Sequence, residues 1–215
     1  MKKKIILTSV IAVISVLAVA FLYFKTQFIQ ISPEFKVNES IGIIDECLSY
    51  DHSNVKQSNQ TAYSASDKTH GDLMLEFLDH CSIENVYYFD ASAETGHISA
   101  DSLITGLEWM KANGVKYINI SLSSKKKSQA LEDWISENKN AVTIYASYNN
   151  LEQTFDYPAM YDDVIGSGSN KTFMNPEKDR CYISNKILMG FDLKNCYNGN
   201  SYLSLYSLIS DLNQK

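Results

Sequence analysis

Glycine and proline are scarce in this chain, which has nine glycines and three prolines in 215 residues. A collagen-like or low-complexity chain would need far more of both. Basic residues are outnumbered too, with 19 Lys and Arg against 25 Asp and Glu and a formal net charge of -6. Since an acidic surface repels phosphate backbones, no nucleic-acid partner is expected. The remaining composition, 45% hydrophobic and 20% charged, predicts one globular domain with an appendage.

Cysteine is sparse as well, and the four are Cys47, Cys81, Cys181 and Cys196. They form no C-x-x-C pair and no His/Cys cluster, and no acidic loop has the dense carboxylate spacing of a calcium site. We therefore expect no metal and no other cofactor. In an exported domain four cysteines allow three disulfide pairings, and Cys181 with Cys196 is the locally plausible one. Buried thiols are the alternative.

The one long apolar run lies at the N-terminus. Lysines at 2–4 precede an uncharged stretch over 5–24, and Lys25 ends it. At about 1.5 Å per residue this stretch spans roughly 30 Å, the thickness of a bilayer core. Because positive charge is denser before the run, residues 1–25 are predicted to be a single-pass transmembrane anchor of the cell membrane, with the domain outside the cytoplasm. Residues 18–20 resemble a signal-peptide cleavage site, so a secreted domain is the alternative.

Two further regions follow this segment. Residues 26–39 are polar and mixed and are predicted to be a linker, and residues 40–215 are predicted to be the working domain. In that domain short apolar runs alternate with amphipathic stretches, which is typical of an α/β fold with a mainly parallel sheet, and its site is expected at the carboxyl ends of the strands. The predicted strands are 41–44, 86–89, 115–122, 142–146 and 164–165, and the predicted helices are 70–81, 103–110, 130–135 and 201–212.

Four polar side chains stand where predicted strands end or predicted helices begin. Asp45 and Asn149 follow strands, and His70 and Ser201 open helices. A serine hydroxyl needs a base to take its proton, a histidine can do so near neutral pH, and a buried carboxylate orients that histidine. Asn149 and the amide of Ser201 are suitable donors to the oxyanion of acyl transfer. Taken singly, each residue has an ordinary explanation as a turn, cap or loop residue, so only their order along the chain points to a catalytic site.

This order, and the local sequences around it, resemble the subtilisin-like serine proteases, or subtilases. The most specific likeness is Leu107–Leu122, which is similar to that family's helix and following Val-Ile-Asn-Met-Ser-Leu strand, beside which the substrate lies. Other segments match in the same order: Ile41–Asp45 with the strand ending in the catalytic aspartate, Thr69–Gly71 with the start of the histidine helix, Tyr145–Asn149 with Ala-Ala-Gly-Asn, Tyr157–Ala159 and Val164–Gly168 with Tyr-Pro-Ala and Val-Ile-Ala-Val-Gly, and Gly199–Tyr202 with Gly-Thr-Ser-Met.

The resemblance implies a fold and a set of roles. The fold would be a subtilisin-like three-layer α/β/α sandwich, and the catalytic triad would be Asp45, His70 and Ser201, with Asn149 as the oxyanion donor. A peptide or protein substrate would bind as an added strand. The residues implied to contact it are Ser121, Leu122, Ser123, Ala146, Ser147 and Tyr148.

Several positions depart from the family pattern. Leu73 replaces a histidine, and Asn200 replaces the threonine before the nucleophile. Tyr148 and Ser123 replace two glycines that let the substrate side chain enter the first specificity pocket. We expect a pocket that accepts only a small residue or is partly closed, unless Tyr148 turns outward and lines the mouth. Asp72 lies two residues from His70 and, if close, would raise the pKa of that histidine.

The resulting prediction is a membrane-tethered, extracytoplasmic serine endopeptidase. The first alternative is a catalytically impaired pseudoprotease that acts as a tethered peptide- or protein-binding module, which the two lost glycines favour. The second is an unrelated α/β domain in which the order of the four residues is coincidental, and then Asp45, His70 and Ser201 would not lie within hydrogen-bond reach of one another.

Overall fold

A parallel sheet of seven strands forms the centre of this computed structural model. The structure describes residues 2–32, 34–63, 67–93, 96–150, 156–169, 174–190 and 196–213. The helices are α1 (Lys2–Gln27), α2 (His70–His80), α3 (Ala100–Ala112), α4 (Gln129–Asn138) and α5 (Asn200–Asn213). The strands are β1 (Ile29–Ile31), β2 (Ile41–Asp45), β3 (Val55–Ser58), β4 (Val86–Asp90), β5 (Tyr117–Ile120), β6 (Thr143–Ser147), β7 (Val164–Gly168), β8 (Arg180–Cys181), β9 (Lys186–Met189) and β10 (Cys196–Asn198).

The seven strands run in the order β3-β4-β2-β5-β6-β7-β8, and each neighbouring pair is parallel. Parallel strands require crossover connections, and the helices α2, α3 and α4 lie within them. A smaller sheet has the order β1-β9-β10. The prediction of an α/β fold with a mainly parallel sheet is therefore confirmed.

Helices cover both faces of the central sheet. One hydrophobic cluster joins Ile41 and Ile43 of β2 to α2 and α5, and a second joins Ile44 of the same strand to α3 and α4. Successive side chains of a strand point to opposite faces, so a run of apolar residues such as 41–44 is buried on both sides. This explains why the central strands are apolar throughout and do not alternate with polar residues.

The start of α2 is defined by a capping box. The Thr69 side chain accepts a hydrogen bond from the amide of Asp72, and the Asp72 carboxylate accepts one from the amide of Thr69. These bonds satisfy donors that a helix leaves unpaired at its N-terminus. They place His70 as the first residue of α2, where the sequence predicted it.

The expected membrane-spanning helix is not supported. The helix α1 extends over Lys2–Gln27, yet no helix is long and apolar enough to cross a membrane within the part of the chain that the structure describes. The continuous block of α1 side chains described there, residues 11–23, spans about 20 Å at 1.5 Å per residue, against roughly 30 Å for a bilayer core.

Two other expectations differ from the structure. Residues 29–31 of the expected linker form β1, which pairs with β9 and buries Ile31, because the apolar Ile29 and Ile31 find a strand to pair with. Cys181 lies in β8 of the central sheet and Cys196 in β10 of the smaller one, and no disulfide bond joins them. Nearness in sequence did not bring these two cysteines together, because their strands belong to different sheets.

Candidate active site

Three elements bring Asp45, His70 and Ser201 to one place. Asp45 is the last residue of β2, His70 the first of α2, and Ser201 lies in the first turn of α5. The Nδ1 atom of His70 lies 3.0 and 2.8 Å from the two carboxylate oxygens of Asp45. Its Nε2 atom lies 3.1 Å from the Oγ of Ser201. The three side chains thus form a continuous chain of hydrogen bonds, which the unrelated-domain alternative did not predict.

Burial of Asp45 orients the imidazole of His70. The Asp45 side chain is 0% exposed, and its Oδ1 also accepts the amide of Glu46 at 2.8 Å. A buried carboxylate needs hydrogen-bond donors, and the Nδ1–H of His70 is one of them. With Nδ1 donating to Asp45, the lone pair of Nε2 faces the Ser201 hydroxyl. This is the tautomer that a general base requires.

The pKa of His70 is raised above its ordinary value. Burial by itself disfavours the charged imidazolium and lowers the pKa, but the hydrogen bond and charge of Asp45, with the charge of Glu46, outweigh it. The imidazolium that forms when His70 takes a proton is therefore stabilised. A base with a raised pKa is available only at correspondingly higher pH.

The end of β5 lies against the nucleophile. The Ser201 hydroxyl is also 3.3 Å from the carbonyl oxygen of Ser121, and the Ser121 hydroxyl donates to Asn119 Oδ1 at 2.5 Å. The Asn119 side-chain amide in turn donates to Ser204 Oγ at 2.8 Å, in the next turn of α5. These bonds fix the start of α5 against the strand beside which a substrate is expected to lie.

Asn149 lies on the loop that follows β6, next to the start of α5. Its amide donates to Asp156 Oδ2 at 2.8 Å, and its carbonyl oxygen accepts the side-chain amide of Asn200 at 3.0 Å. The same Asn200 amide donates to the carbonyl oxygen of Tyr148 at 3.0 Å. Asn200, the residue that departs from the family pattern beside the nucleophile, therefore joins the oxyanion loop to the nucleophile helix.

Tyr148 points inward. Its side chain is buried, and its hydroxyl donates to Asp179 Oδ2 at 2.6 Å, an environment that raises the pKa of the phenol by burial and then by this bond. The ring lies over Gly166, where an added Cβ would come within 2.4 Å of Tyr148 Cε2. Asp179 is held in turn by the amide of Gly166 and by Lys178. Of the two alternatives for Tyr148, the structure has the ring packed into the domain and not at the mouth.

A cavity of about 580 Å³ opens beside the end of β5. Among the residues implied to contact substrate, Leu122 and Ser123 line it, while Ser121, Ala146, Ser147 and Tyr148 are buried at the strand ends. The cavity is mainly apolar, with lysines at its edge. Its other lining residues include Ile98, Leu103, Lys126, Lys127, Leu131, Tyr157 and Tyr161.

Two carboxylates that the sequence did not assign correctly support the triad. Asp72 was expected to act on His70, but its buried carboxylate is occupied by Ser49, Thr69 and His52, with His52 Nε2 at 2.9 Å. The carboxylate that contacts His70 belongs to Glu46, whose Oε1 accepts the His70 amide at 2.6 Å. Its position directly after Asp45 was the signal that could have identified it.

Comparisons with known proteins were made by sequence and by structure. No protein-family profile matches the chain. The chain is 24% identical to subtilisin DY of Bacillus licheniformis over 196 residues, which are 78% of this chain and 70% of that protein. It is 27% identical to subtilisin Savinase of Lederbergia lenta over 124 residues, 56% of this chain and 46% of that protein. The match to Savinase thus spans less than half of that relative.

The fold has solved counterparts as well. The self-cleaved protease domain of PatA superimposes with a TM-score of 0.58 at 15% identity, over 81% of this chain and 78% of that one. At this identity the likeness shows the fold alone. It agrees with the sequence matches, which were obtained without reference to structure.

Proposed function

The chain is a divergent member of the subtilisin-like serine protease family, and on that premise we propose that it is a serine endopeptidase acting on a peptide or protein substrate. The observation that carries this proposal is the hydrogen-bonded series Asp45, His70 and Ser201, with 2.8 Å at one junction and 3.1 Å at the other. Distances of this size allow a proton to pass from the hydroxyl to the imidazole without rearrangement.

In the first half of the reaction the Oγ of Ser201 attacks the scissile carbonyl carbon while Nε2 of His70 takes the hydroxyl proton. Asp45 stabilises the resulting imidazolium through Nδ1–H. The carbonyl oxygen becomes an oxyanion, and the amide of Ser201 and the side-chain amide of Asn149 are its proposed donors. One side-chain donor of this kind contributes about 10²–10³ in rate, a magnitude that the general principle takes from subtilisin itself.

In the second half the intermediate collapses. His70 passes its proton to the leaving amine, the C–N bond breaks, and the acyl group remains on Ser201 as an ester. A water molecule then loses a proton to Nε2 and attacks the ester carbonyl. When that second intermediate collapses, His70 returns the proton to Ser201 Oγ and the acid product leaves.

The substrate would lie extended beside the end of β5. The main-chain groups of Ser121 to Ser123 are available there as partners for an added strand, and the adjoining cavity offers space for a side chain of the acyl segment. Main-chain pairing supplies affinity without much sequence preference. The preference is then set by the cavity and by the space left around Tyr148.

The test is labelling of the purified full chain with a fluorophosphonate probe, which reacts with an activated serine. We expect the wild type to be labelled, Ser201→Ala to be unlabelled, and Ser210→Ala, a change farther along the same helix, to be labelled at the wild-type rate. Circular dichroism would verify that all three are folded. A folded wild type that remains unlabelled across pH roughly 6 to 10 would count against the protease.

A binding module without catalysis is the second candidate, and the buried Tyr148 favours it. Its ring occupies space beside the strand ends, and a substrate side chain that needs this space could not enter. This candidate predicts that the folded wild type is unlabelled but retains peptides, and that Ser201→Ala retains them equally well.

The location of the domain stays a prediction from the sequence. Lysines at 2–4 before the uncharged stretch 5–24 favour export, and we propose that the domain works outside the cytoplasm. A fusion of alkaline phosphatase to the C-terminus of the chain should be active in a bacterial host, because this enzyme requires export. An inactive phosphatase, with a fluorescent cytoplasmic fusion of the same chain, would contradict export.

A further inference from the structure

Glu46 connects two members of the triad through both its main chain and its side chain. Its amide donates to Asp45 Oδ1 at 2.8 Å, and its Oε1 accepts the amide of His70 at 2.6 Å. Its carbonyl oxygen accepts the hydroxyl of Tyr88. One residue thus ties the end of β2 to the beginning of α2, the two elements that carry Asp45 and His70.

The His70 amide is a donor that α2 cannot satisfy by itself. The first amides of a helix have no partner within the helix, and the N-terminus carries a partial positive charge. The capping box of α2 uses the amide of Asp72, so the His70 amide needs another acceptor. A carboxylate suits both the unpaired donor and the dipole, and Glu46 supplies it.

The approach is close enough to constrain the neighbouring residue. A Cβ added at Gly71 would lie 3.0 Å from the Glu46 carbonyl oxygen and 1.9 Å from the Tyr88 hydroxyl. Only a residue without a side chain allows Glu46 and Tyr88 to pack there. The glycine that follows His70 is therefore explained by the contact that Glu46 makes.

From these contacts we propose that Glu46 is a positioning residue of the triad, whose carboxylate fixes the first turn of α2 and whose negative charge sets the acid limit of activity. The proposal rests on the proposed protease function and adds a second charge to the pair His70–Asp45. The charge acts on the imidazolium and so changes how strongly His70 holds its proton.

The other groups that face His70 leave this role to Glu46. Asp45, at the end of β2, is the direct partner of the ring, and Ser201 on α5 is a neutral hydroxyl. Tyr88 on β4 is neutral, because burial and then the nearby carboxylates raise the pKa of its phenol. Asp72 on α2 itself is engaged by Ser49, Thr69 and His52.

The exchange Glu46→Gln separates charge from position. Glutamine keeps an oxygen that can accept the His70 amide but has no charge. A unit charge at about 6 Å, with an effective dielectric constant of about 40 to 80, changes a protonation equilibrium by about three- to tenfold. Without it His70 would lose its proton at lower pH, and the rate on the acid side of the profile would rise by about that factor.

The measurement is the second-order rate of fluorophosphonate labelling of the full chain against pH. We expect Glu46→Gln to shift the acid limb to lower pH with a plateau within about twofold of the wild type. Glu46→Ala, which also removes the acceptor, should lower the plateau. Glu137→Gln, on the exposed side of α4, makes the same change in net charge and should leave the profile unmoved.

A second measurement does not depend on catalysis. In full-chain Ser201→Ala, the titration of His70 followed by NMR should have a lower midpoint after Glu46→Gln. Acid limbs or midpoints that coincide with and without the Glu46→Gln exchange would overturn the proposal. Absence of labelling with a shifted midpoint would overturn the protease function and leave the role of Glu46 toward His70 supported.

Discussion

The side-chain amide of Asn200 donates to the carbonyl oxygen of Asn149 at 3.0 Å, so the residue before the nucleophile holds the proposed oxyanion donor in place. Asn200 is 3% exposed, and its second bond to Tyr148 has the same length. Position at this loop therefore depends on one buried side chain.

Replacement of Asn200 by alanine should affect both stability and rate. Two buried hydrogen bonds of about 0.5–1.5 kcal/mol each would be lost, or about 1–3 kcal/mol in the free energy of unfolding. The labelling rate should fall by about 10- to 100-fold, less than the loss of a whole oxyanion donor, because Asn149 remains but is less well held. Urea unfolding and labelling kinetics measure the two effects. Asn140→Ala, at an exposed position, is the control, and an unchanged rate in Asn200→Ala would contradict this role.

Asp45→Asn tests the tautomer of His70. An amide in place of the buried carboxylate can present its NH₂ to Nδ1 and so direct the proton to Nε2, where it blocks the base. The same change in a serine protease costs about 10⁴ in rate, and a loss of that order is expected here with the melting temperature nearly unchanged. The measurement is the labelling rate at a pH on the plateau. A loss of less than about tenfold would show that Asp45 does not orient the base.

Tyr148→Gly tests the closed pocket. Removing the ring should destabilise the domain by about 3–5 kcal/mol and allow peptides with large residues before the scissile bond to be cleaved. The wild type should cleave only peptides with a small residue there. Tyr148→Phe keeps the ring and loses only the bond to Asp179, so it should retain the wild-type preference. Cleavage of a peptide panel measures this, and a wild type that prefers large residues would contradict the prediction.

Asp72 should make the stability of the domain depend on acid pH. Burial alone would raise the pKa of its carboxyl, but hydrogen bonds from Ser49, Thr69 and His52 outweigh it and lower the pKa below the ordinary value of 3.8. A carboxyl whose pKa is lower in the folded state stabilises fully above its unfolded value and loses that contribution as the pH falls through the folded value. The free energy of unfolding should therefore fall from about pH 5 downward.

Asp72→Asn is the variant for this dependence. It should lose about 2–3 kcal/mol at pH 7, the size of hydrogen bonds to one charged group, and its stability should change less between pH 7 and pH 4 than that of the wild type. Urea unfolding at the two pH values measures this. Asp162→Asn, at an exposed position, should follow the wild type. Parallel pH profiles for wild type and Asp72→Asn would show that the cluster does not contribute.

The elements that the sequence predicted well are those with strong local signals. Apolar runs such as 41–44 and the capped start of α2 at His70 need no distant partner to be recognised. The strands β1, β3, β8, β9 and β10 were not predicted, because they are short and several are polar, as in Val55–Ser58. Their pairing depends on strands far away in the chain. The predicted strand 115–122 is shorter in the structure, Tyr117–Ile120, because its ends leave the ladder.

The sequence by itself determined the order of Asp45, His70, Asn149 and Ser201 and the element that each one begins or ends, since residue type and periodicity are local properties. The tertiary structure decided which charges act on which group. Asp72, two residues from His70, binds His52, while Glu46, 24 residues away, binds the His70 amide. The inward direction of Tyr148 was likewise decided by the space over Gly166 and by Asp179. Such contacts depend on how strands and helices pack, and spacing along one chain does not contain that information.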